Sequence, residues 1–364
     1  MRFAPDQFQN NRGRGITGGA GNRFERHEIE INWGAVEEIA RIDEDFDPSP
    51  LRTAVYRDDS QTIISRNDSP DINFGASVNP YRGCEHGCAY CYARPYHEYL
   101  GFNAGIDFET KLMAKERAPE LLRTELSRKS WSPQVLAMSG VTDCYQPVER
   151  SLRLTRGCLE VLAEFRNPVG IVTKNHLVTR DIDVLKKLAE HGAAAVAISI
   201  TSLDPILQRK LEPRASSPKM RLWAVRELAA AGIPVGVSVA PVIPGLNDHE
   251  IPAILKAARD HGATRGWYSV VRLPHGVKEM FADWLERHFP GQKEKVLGRI
   301  RELRDGNLNS TEFGERMRGR GPWADEIERQ FKVHLRRLEL NREHLELNVA
   351  AFRRPAGPQL ELPF

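Results

Sequence analysis

Cysteine is scarce in this sequence and occurs an odd number of times. Of the five cysteines in 364 residues, three lie in the short stretch CEHGCAYC, too close together for a regular disulfide framework. The class of small, disulfide-stapled extracellular domains is therefore excluded. Clustered thiols of this kind are more often metal ligands in a reducing compartment, so the sequence predicts a cytoplasmic protein.

Long apolar segments are also missing. No uninterrupted apolar run is long enough to cross a bilayer. The N-terminal text MRFAPDQFQNNRGRG lacks the apolar core of a secretory signal. We therefore expect no membrane partner.

A strong net charge is absent as well. Lysine and arginine number 52 against 49 acidic residues, which leaves a formal net charge of +3. This balance permits a nucleic-acid partner without indicating one, because phosphate binding needs clustered positive charge. Short basic runs are typical of solvated helix faces as well as of phosphate contacts. They are Arg12, Arg14 and Arg23; Arg316, Arg318 and Arg320; Lys332, Arg336 and Arg337; and Arg353 and Arg354.

The middle of the chain alternates between apolar strands and amphipathic helices. Three successive predicted helices end at Gly192, Gly232 and Gly262, which suits the left-handed residue after a helix, and a strand follows each. Near-continuous apolar strands that alternate with helices predict a parallel sheet covered by helices. About six strands favour a partial (β/α)6 barrel. They are NFGASVNP, QVLAMS (134–139), VGIVTK (169–174), AAVAISIT (194–201), PVGVSVAPVIPG and TRGWYSVVRLP, and the segment 150–165 is predicted as one helix.

The two flanks of this region differ from it in composition. Residues 1–50 contain the Gly/Arg-rich text GRGRGITGGAGNRF, for which we expect irregular structure. Residues 51–275 form the predicted core barrel, and residues 276–364 a helical C-terminal extension. In its last predicted helix, apolar side chains recur at helical spacing, which predicts packing against the barrel. They are Trp323, Ile327, Phe331, Leu335 and Leu338.

The spacing C-x3-C-x2-C of Cys84, Cys88 and Cys91 is the strongest chemical signal in the chain. Three thiolates on one tight loop can hold an iron–sulfur cluster and leave one iron open to a small molecule. A purely structural metal site is normally closed by a fourth ligand. The pattern therefore favours a cluster that takes part in chemistry.

Residues in and beside this loop bear on the kind of metal site that it forms. Gly83 and Gly87 allow the backbone to wrap closely around a cluster. A closed zinc site with His86 or His97 as its fourth ligand is the alternative, and it would belong to a non-enzymatic binding module.

These residues resemble those of a known family. C-x3-C-x-aromatic-C, with Tyr90 as the aromatic residue, directly after the first strand of a βα series, is similar to the radical S-adenosylmethionine (SAM) superfamily. The text NPYRGCEHGCAYCYARP, then TDCYQPVER, VTKN, SIT, LEPRA and APVIPGLND, resembles the spore photoproduct lyase-like branch often labelled DNA repair photolyase. Within that branch it is most similar to an uncharacterised bacterial subfamily. The resemblance covers residues 60–275 in its core.

The resemblance implies both cofactors and chemistry. It implies a 4Fe–4S cluster held by Cys84, Cys88 and Cys91, with an open iron that binds the amine and carboxylate of SAM. It also implies an electron-supplying reductase of the flavodoxin or ferredoxin type. The reduced cluster would cleave SAM to methionine and a 5′-deoxyadenosyl radical, which abstracts a hydrogen atom from the substrate.

Candidate SAM contacts follow from the family pattern and from positions after predicted strands. Ser139, Thr142 and Asp143 are candidates for the methionine ammonium, since a carboxylate is its plain electrostatic partner. Lys174 and Arg214 are candidates for the SAM carboxylate. Candidates for the ribose and the adenine are Ser199, Thr201, Tyr90, Val242 and Pro244.

The substrate is left open by the sequence. Spore photoproduct lyase splits a thymine dimer in DNA with a hydrogen-atom relay that includes a late cysteine, and this chain has no cysteine after Cys158, so that activity does not carry over. Weak candidates for a hydrogen donor are Tyr96, Tyr99, Cys144 and Tyr145, and Cys144 also suits a small buried residue. Three functions remain: a radical SAM enzyme on DNA or RNA, one on a small molecule or peptide, and a zinc-bearing module.

Overall fold

A computed structural model describes residues 14–16, 52–72 and 74–355. Most of the segment 1–50, for which irregular structure was predicted, lies outside the described residues. The described strands are β1 Ala54–Arg57, β2 Ile64–Arg66, β3 Ala76–Val78, β4 Tyr81–Arg82, β5 Lys111–Ala114, β6 Leu136–Met138, β7 Val169–Thr173, β8 Ala194–Ser199, β9 Val235–Val242 and β10 Arg265–Val270.

Seven of these strands form the main sheet. Its order is β10-β9-β8-β7-β6-β3-β2, and every neighbouring pair is parallel except β2 with β3. Strands β7, β8 and β9 are buried along most of their length, because helices cover the outside of the sheet. Six parallel strands in chain order confirm the predicted partial (β/α)6 barrel.

A second, small sheet stands beside the beginning of the barrel. Its order is β1-β5-β4, with β5 parallel to β1 and antiparallel to β4. No sequence pattern predicted this sheet. Strand β4 leads directly into the cysteine loop, so this sheet holds the loop at one end.

Helices follow the strands in the expected alternation. They are α1 Asp107–Thr110, α2 Ala118–Ser127, α3 Glu149–Leu152, α4 Leu154–Phe165, α5 Ile182–Ala189, α6 Pro205–Leu211, α7 Pro218–Ala230, α8 Ile251–Asp260, α9 Val277–His288, α10 Lys293–Glu302 and α11 Pro322–Arg337. After α5, α7 and α8, the residues Gly192, Gly232 and Gly262 have φ values of 66°, 76° and 100°. The predicted left-handed helix ends are confirmed.

The prediction of one helix over 150–165 is wrong. Arg153 adopts a left-handed conformation with φ of 54° and separates α3 from α4. The buried Glu149 side chain accepts hydrogen bonds from Thr155 N at 3.1 Å and Arg156 N at 3.4 Å. These bonds satisfy the first amides of α4, so a new helix begins there.

The C-terminal extension packs on the barrel as the apolar stripe predicts. Ile327 and Phe331 of α11 are buried in the main hydrophobic core, and Trp323, Leu335 and Leu338 pack against it from a partly buried position. No helix in residues 14–16, 52–72 and 74–355 is both long and apolar enough to cross a membrane.

A segment of the extension also crosses the gap between the edge strands β10 and β2, which we call the open side of the barrel. At the end of β10, Val270 N donates to Met317 O at 2.8 Å. On the other side, Gly314 N donates to Asp71 Oδ1 at 2.6 Å, and Asp71 lies between β2 and β3. Because β10 and β2 are the two edge strands, residues 314–317 join the two edges of the sheet.

Candidate functional site

The cysteine loop lies between β4 and the 3-10 helix Arg94–Leu100. Cys84 and Cys88 are buried, and Cys91 is half-buried. Gly83 and Gly87 have φ values of 79° and 66°, a region that L side chains rarely adopt. Both glycines thus bend the loop tightly, while its wrapping around a cluster stays a prediction.

Neighbouring atoms that lie close to the loop are a second reason for glycine at these two positions. A Cβ on Gly83 would lie 2.9 Å from Leu112 Cδ2, and a Cβ on Gly87 would lie 2.7 Å from Glu109 Oε2. Neither neighbour leaves room for a larger residue. The loop is therefore pressed against α1 and β5.

Beneath the loop lies a buried ion pair between Arg94 and Glu109. Arg94 Nη2 is 2.5 Å from Glu109 Oε1, and both side chains are fully buried. Arg94 also donates to Cys88 O, from Nε at 3.1 Å and from Nη2 at 2.9 Å. The guanidinium thus fixes the backbone of one of the three cysteines.

Residues 14–16 form an N-terminal strap over the same place. Gly15 N donates to Glu109 Oε2 at 3.0 Å, and Ile16 N donates to Glu109 Oε1 at 3.2 Å. Arg14 Nη1 donates to Glu109 O at 2.8 Å. A Cβ on Gly15 would lie 1.5 Å from Gly87 O, so the strap touches the cysteine loop itself.

The thiols share one electrostatic environment. Burial raises the pKa of Cys88 well above its ordinary value, and Glu212, Cys91 and Cys84 raise it further, while Lys174 lowers it. Burial also raises the pKa of Cys91, against the lowering effect of Arg94. Thiols in such a place lose their protons when a metal cation takes the proton's position. Among the described residues, no group of three or more Cys, His, Asp or Glu side chains is arranged to hold a single metal ion. Three thiols on a glycine-bent loop, near enough to raise one another's pKa, fit the larger iron–sulfur cluster.

Asp143 connects the cysteine loop to the ends of β6 and β7. Its carboxylate accepts from Thr173 Oγ1 at 2.7 Å, Lys174 N at 2.8 Å and Tyr145 N at 2.9 Å. His86 Nδ1 lies 3.4 Å from Asp143 Oδ2. Burial alone would raise the pKa of Asp143, but His86 and the hydrogen bonds lower it to about 2. The group is an anion with its acceptor sites in use.

Glu212 is a second buried carboxylate with several polar partners, and no sequence pattern identified it. Its carboxylate pairs with the fully buried Arg221, and it accepts hydrogen bonds from Tyr90 Oη and from Thr201 Oγ1. Burial would raise the pKa of Glu212, whereas Arg221 and Lys174 lower it below the ordinary value. The aromatic residue of the cysteine motif is thereby tied to the end of β8.

The other predicted SAM contacts lie at the strand ends as expected from their positions. Ser139 directly follows β6 with φ of 78°, and its Oγ accepts from Cys144 N at 2.9 Å. Thr142 Oγ1 donates to Tyr81 O at 3.0 Å. Ser199 is the last residue of β8, Val242 is the last of β9, and the buried Pro244 follows it.

Arg214 lies apart from these strand ends, against the cysteine loop. Its Nη2 donates to Glu85 Oε1 at 3.0 Å, and its backbone N donates to His86 O at 3.2 Å. Its guanidinium is therefore already paired with a carboxylate. Lys174 follows β7 and is partly exposed.

The weak hydrogen-donor candidates divide into two groups. Cys144 and Tyr145 are buried, and Tyr145 Oη donates to Asp181 Oδ2 at 3.1 Å. Tyr96 and Tyr99 are 55% and 66% exposed, although they follow closely after Cys91. Their rings lie 6.4 Å apart on the 3-10 helix.

Tyr92 and Arg272 meet at the open side of the barrel. Tyr92 Oη donates to Gly140 O at 2.9 Å, just past the end of β6. Arg272 follows β10, and its Cζ lies 5.3 Å from the centre of the Tyr92 ring. Arg272 lies inside the predicted strand TRGWYSVVRLP, whereas the observed strand ends at Val270, so no pattern in the sequence indicated its position after the strand.

Comparisons with known proteins bear on this site. The radical SAM superfamily model matches residues 78–258. An uncharacterised protein of Mycobacterium tuberculosis is 36% identical over 252 residues, which are 68% of this chain and 73% of that protein. A radical SAM Nalpha-GlyT isomerase of Pseudomonas phage M6 is 28% identical over 197 residues, 54% of this chain and 39% of the isomerase.

Solved structures share the fold. Spore photoproduct lyase complexed with dinucleoside spore photoproduct superimposes with a TM-score of 0.56 at 16% identity, covering 78% of each chain. At that identity the likeness concerns the fold. The match supports the architecture of a partial barrel that is extended at its C-terminus.

Proposed function

The chain belongs to the radical SAM superfamily, whose enzymes work with a 4Fe–4S cluster and SAM, and from this premise we propose that its substrate is a strand of DNA or RNA. We further propose Cys84, Cys88 and Cys91 as the cluster ligands. When bound, the cluster and SAM supply a 5′-deoxyadenosyl radical that abstracts a hydrogen atom. The protein's part is to hold SAM, orient the substrate and exclude water.

The ends of β7, β8 and β9 are the proposed SAM pocket. Adjacent parallel strands bring Lys174, Ser199 and Val242 to one edge of the sheet, with Thr201 and Pro244 just beyond. Lys174 is close enough to Cys88 to lower its pKa, which supports its proposed contact with the SAM carboxylate. Tyr90, held by Glu212, would border the same pocket, and Arg214 stays a second carboxylate candidate.

Asp143 has a different proposed part. Its two oxygens already have four partners, close to the acceptor capacity of a carboxylate. We therefore propose that Asp143 fixes Lys174 and His86 in place. We assign the ammonium of SAM to Ser139 and Thr142, whereas the sequence prediction included Asp143 with them.

The observation that carries the nucleic-acid proposal is the exposed pair Tyr96 and Tyr99. They stand on the helix that begins three residues after Cys91, while Pro95, His97 and Glu98 of that helix are buried. Large aromatic side chains left in solvent beside an active-site loop are suited to stacking on nucleobases, and such stacking is worth about 1–3 kcal/mol per base. The pair therefore supports a base-bearing substrate.

The comparisons give this proposal a context. One structure of the same fold is a lyase complexed with a dinucleoside photoproduct. One sequence relative is named an isomerase, so proteins similar to this chain carry the names of different reactions. A small molecule or peptide is the alternative substrate. A reductase of the flavodoxin or ferredoxin type is the proposed electron donor.

The test is 5′-deoxyadenosine formation by anaerobically reconstituted protein with dithionite or reduced flavodoxin. Single-stranded oligonucleotides are expected to increase product formation, and peptides are not. Tyr96→Ala combined with Tyr99→Ala should weaken the stimulation about tenfold or more, because two stacking contacts are lost. Trp223→Ala, which removes an exposed aromatic ring from the outer helix α7, is the matched control. Stimulation by peptides alone would contradict the proposal.

A further inference from the structure

Arg272 has an unusual set of neighbours for a partly buried arginine. Its Cζ stacks on Tyr92, and Nη1 donates to the weak acceptor Met317 Sδ at 3.8 Å. Its Nε is buried and has no hydrogen-bond partner among the described residues. Within that part of the chain, one N–H of the guanidinium therefore lacks an acceptor.

No carboxylate forms an ion pair with Arg272 in the part of the chain that the structure describes, although Asp71, beyond ion-pair distance, acts to raise its pKa. The adjacent Arg316 takes the nearby Asp71 as its own ion-pair partner. Arg304, another close cation, donates to the carbonyls of Val271, Glu315 and Arg316. Burial and then Arg316 lower the pKa of Arg272, and burial and then Arg272 lower the pKa of Arg304 to about 10. Positive charge is thus concentrated beside Arg272.

An arginine withdrawn from water without an anion carries a desolvation cost. Arginines placed in this way are typical of sites for carboxylate or phosphate, whose planar or tetrahedral oxygens match the guanidinium. Arg272 is also at the carboxyl end of β10, where folds of this type bind their ligands. Its position at the end of β10 and its lack of an ion-pair partner both indicate a binding site for an anionic group.

We propose that Arg272, stacked on Tyr92, binds a phosphodiester of the nucleic-acid substrate at the open side of the barrel. This inference rests on the proposed function and adds to it the residue that receives the backbone. Segment 314–317 supports the site, since Met317 and Arg316 both face Arg272. Tyr96, close enough to Arg272 to affect its pKa, would stack a base of the same strand.

The carboxylate of SAM has the same oxyanion chemistry and is the second source to distinguish. A phosphate contact changes oligonucleotide affinity and its salt dependence and leaves SAM affinity unaltered. A SAM contact does the reverse. Both affinities therefore have to be measured on the same variants.

The experiment compares the wild-type holoprotein with Arg272→Gln, and with Arg336→Gln as the control. Arg336 is exposed on α11 in one of the basic runs, and within the described residues its side chain makes no hydrogen bond or ion pair that its removal would break. Fluorescence anisotropy gives the affinity for a single-stranded DNA oligonucleotide over a range of salt concentrations. Calorimetry gives the affinity for SAM. Arg272→Met retains the apolar stem over Tyr92 and replaces the glutamine variant if that one does not fold.

We expect Arg272→Gln to weaken oligonucleotide binding about tenfold, as for one charge-assisted phosphate contact. The slope of log K against log salt should become shallower by about 0.7, the value for one phosphate of a single strand. Arg336→Gln should leave both quantities near those of the wild type, and SAM affinity should be unchanged in every variant.

Three results would overturn the inference. Equal oligonucleotide binding by wild type and Arg272→Gln would remove Arg272 from the substrate site and leave the proposed function standing. A loss of SAM affinity with unchanged oligonucleotide affinity would assign Arg272 to the SAM carboxylate. Absence of oligonucleotide binding by the wild-type holoprotein at low salt would remove the proposed nucleic-acid substrate and the inference with it.

Discussion

Arg94 and Glu109 form a fully buried ion pair directly beneath the cysteine loop. Through Glu109 the pair also holds the backbone of Gly15 and Ile16, and through Arg94 it holds the carbonyl of Cys88. A segment far away in sequence is thus connected to the proposed cluster ligands by a carboxylate and a guanidinium.

Removing one partner of this pair should be costly. Arg94→Met leaves Glu109 buried without its cation and frees Cys88 O, so we expect stability to fall by about 3–5 kcal/mol. Urea unfolding of the anaerobic protein measures the change, and iron content should fall with it. The control is Arg123→Met, which breaks the exposed pair with Glu164 and should cost less than about 1 kcal/mol. Equal costs for the two variants would show that the buried pair does not support the loop.

The N-terminal strap should protect the cluster. In Gly15→Val the new Cβ would overlap Gly87 O, so the strap has to move away from the loop and Glu109 loses two amide donors. We expect faster decay of the visible iron–sulfur absorbance in air. Gly298→Ala, in α10 with open space around the new methyl group, is the control and should decay at the wild-type rate. Identical decay of the valine variant would contradict the role of the strap.

The buried ion pair of Arg221 and Glu212 should act as one unit. Arg221→Met leaves the Glu212 carboxylate buried without its guanidinium, for which we expect a loss of about 3–5 kcal/mol. Glu212→Gln leaves the Arg221 guanidinium buried with carbonyl acceptors and no counter-ion, so it should cost a similar amount. The double variant removes both charges and should cost less than the two single variants added together, which urea unfolding of the three variants tests. Additive costs would mean that the two side chains do not stabilise the fold as a pair.

The barrel was predictable because its strands carry their burial in the local sequence. Residues 169–172 and 194–198 are runs without a polar side chain, and glycines mark the helix ends before β8, β9 and β10. The small sheet was not predictable in this way. All four residues of β1 are exposed, so no alternation of buried apolar and exposed polar side chains indicates this strand in the sequence.

The site was predictable only as far as its motif extends. The spacing of Cys84, Cys88 and Cys91 identifies them in the sequence. The part of Glu212 depends on its hydrogen bond from Tyr90, a residue far away in the chain. The strap was missed for a related reason. Its Gly/Arg composition is typical of a linker, and its buried contacts are made by the backbone of Gly15 and Ile16, which composition does not reveal.

Iron and sulfide content, with the visible spectrum, test the central claim most directly. The protein is purified without oxygen beside a Cys91→Ala variant, and SAM is then added to both. The account predicts about four irons per wild-type chain, as one 4Fe–4S cluster requires, a spectrum that changes on adding SAM, and loss of both properties in the variant. Zinc alone, even after reconstitution with iron and sulfide, would contradict the account.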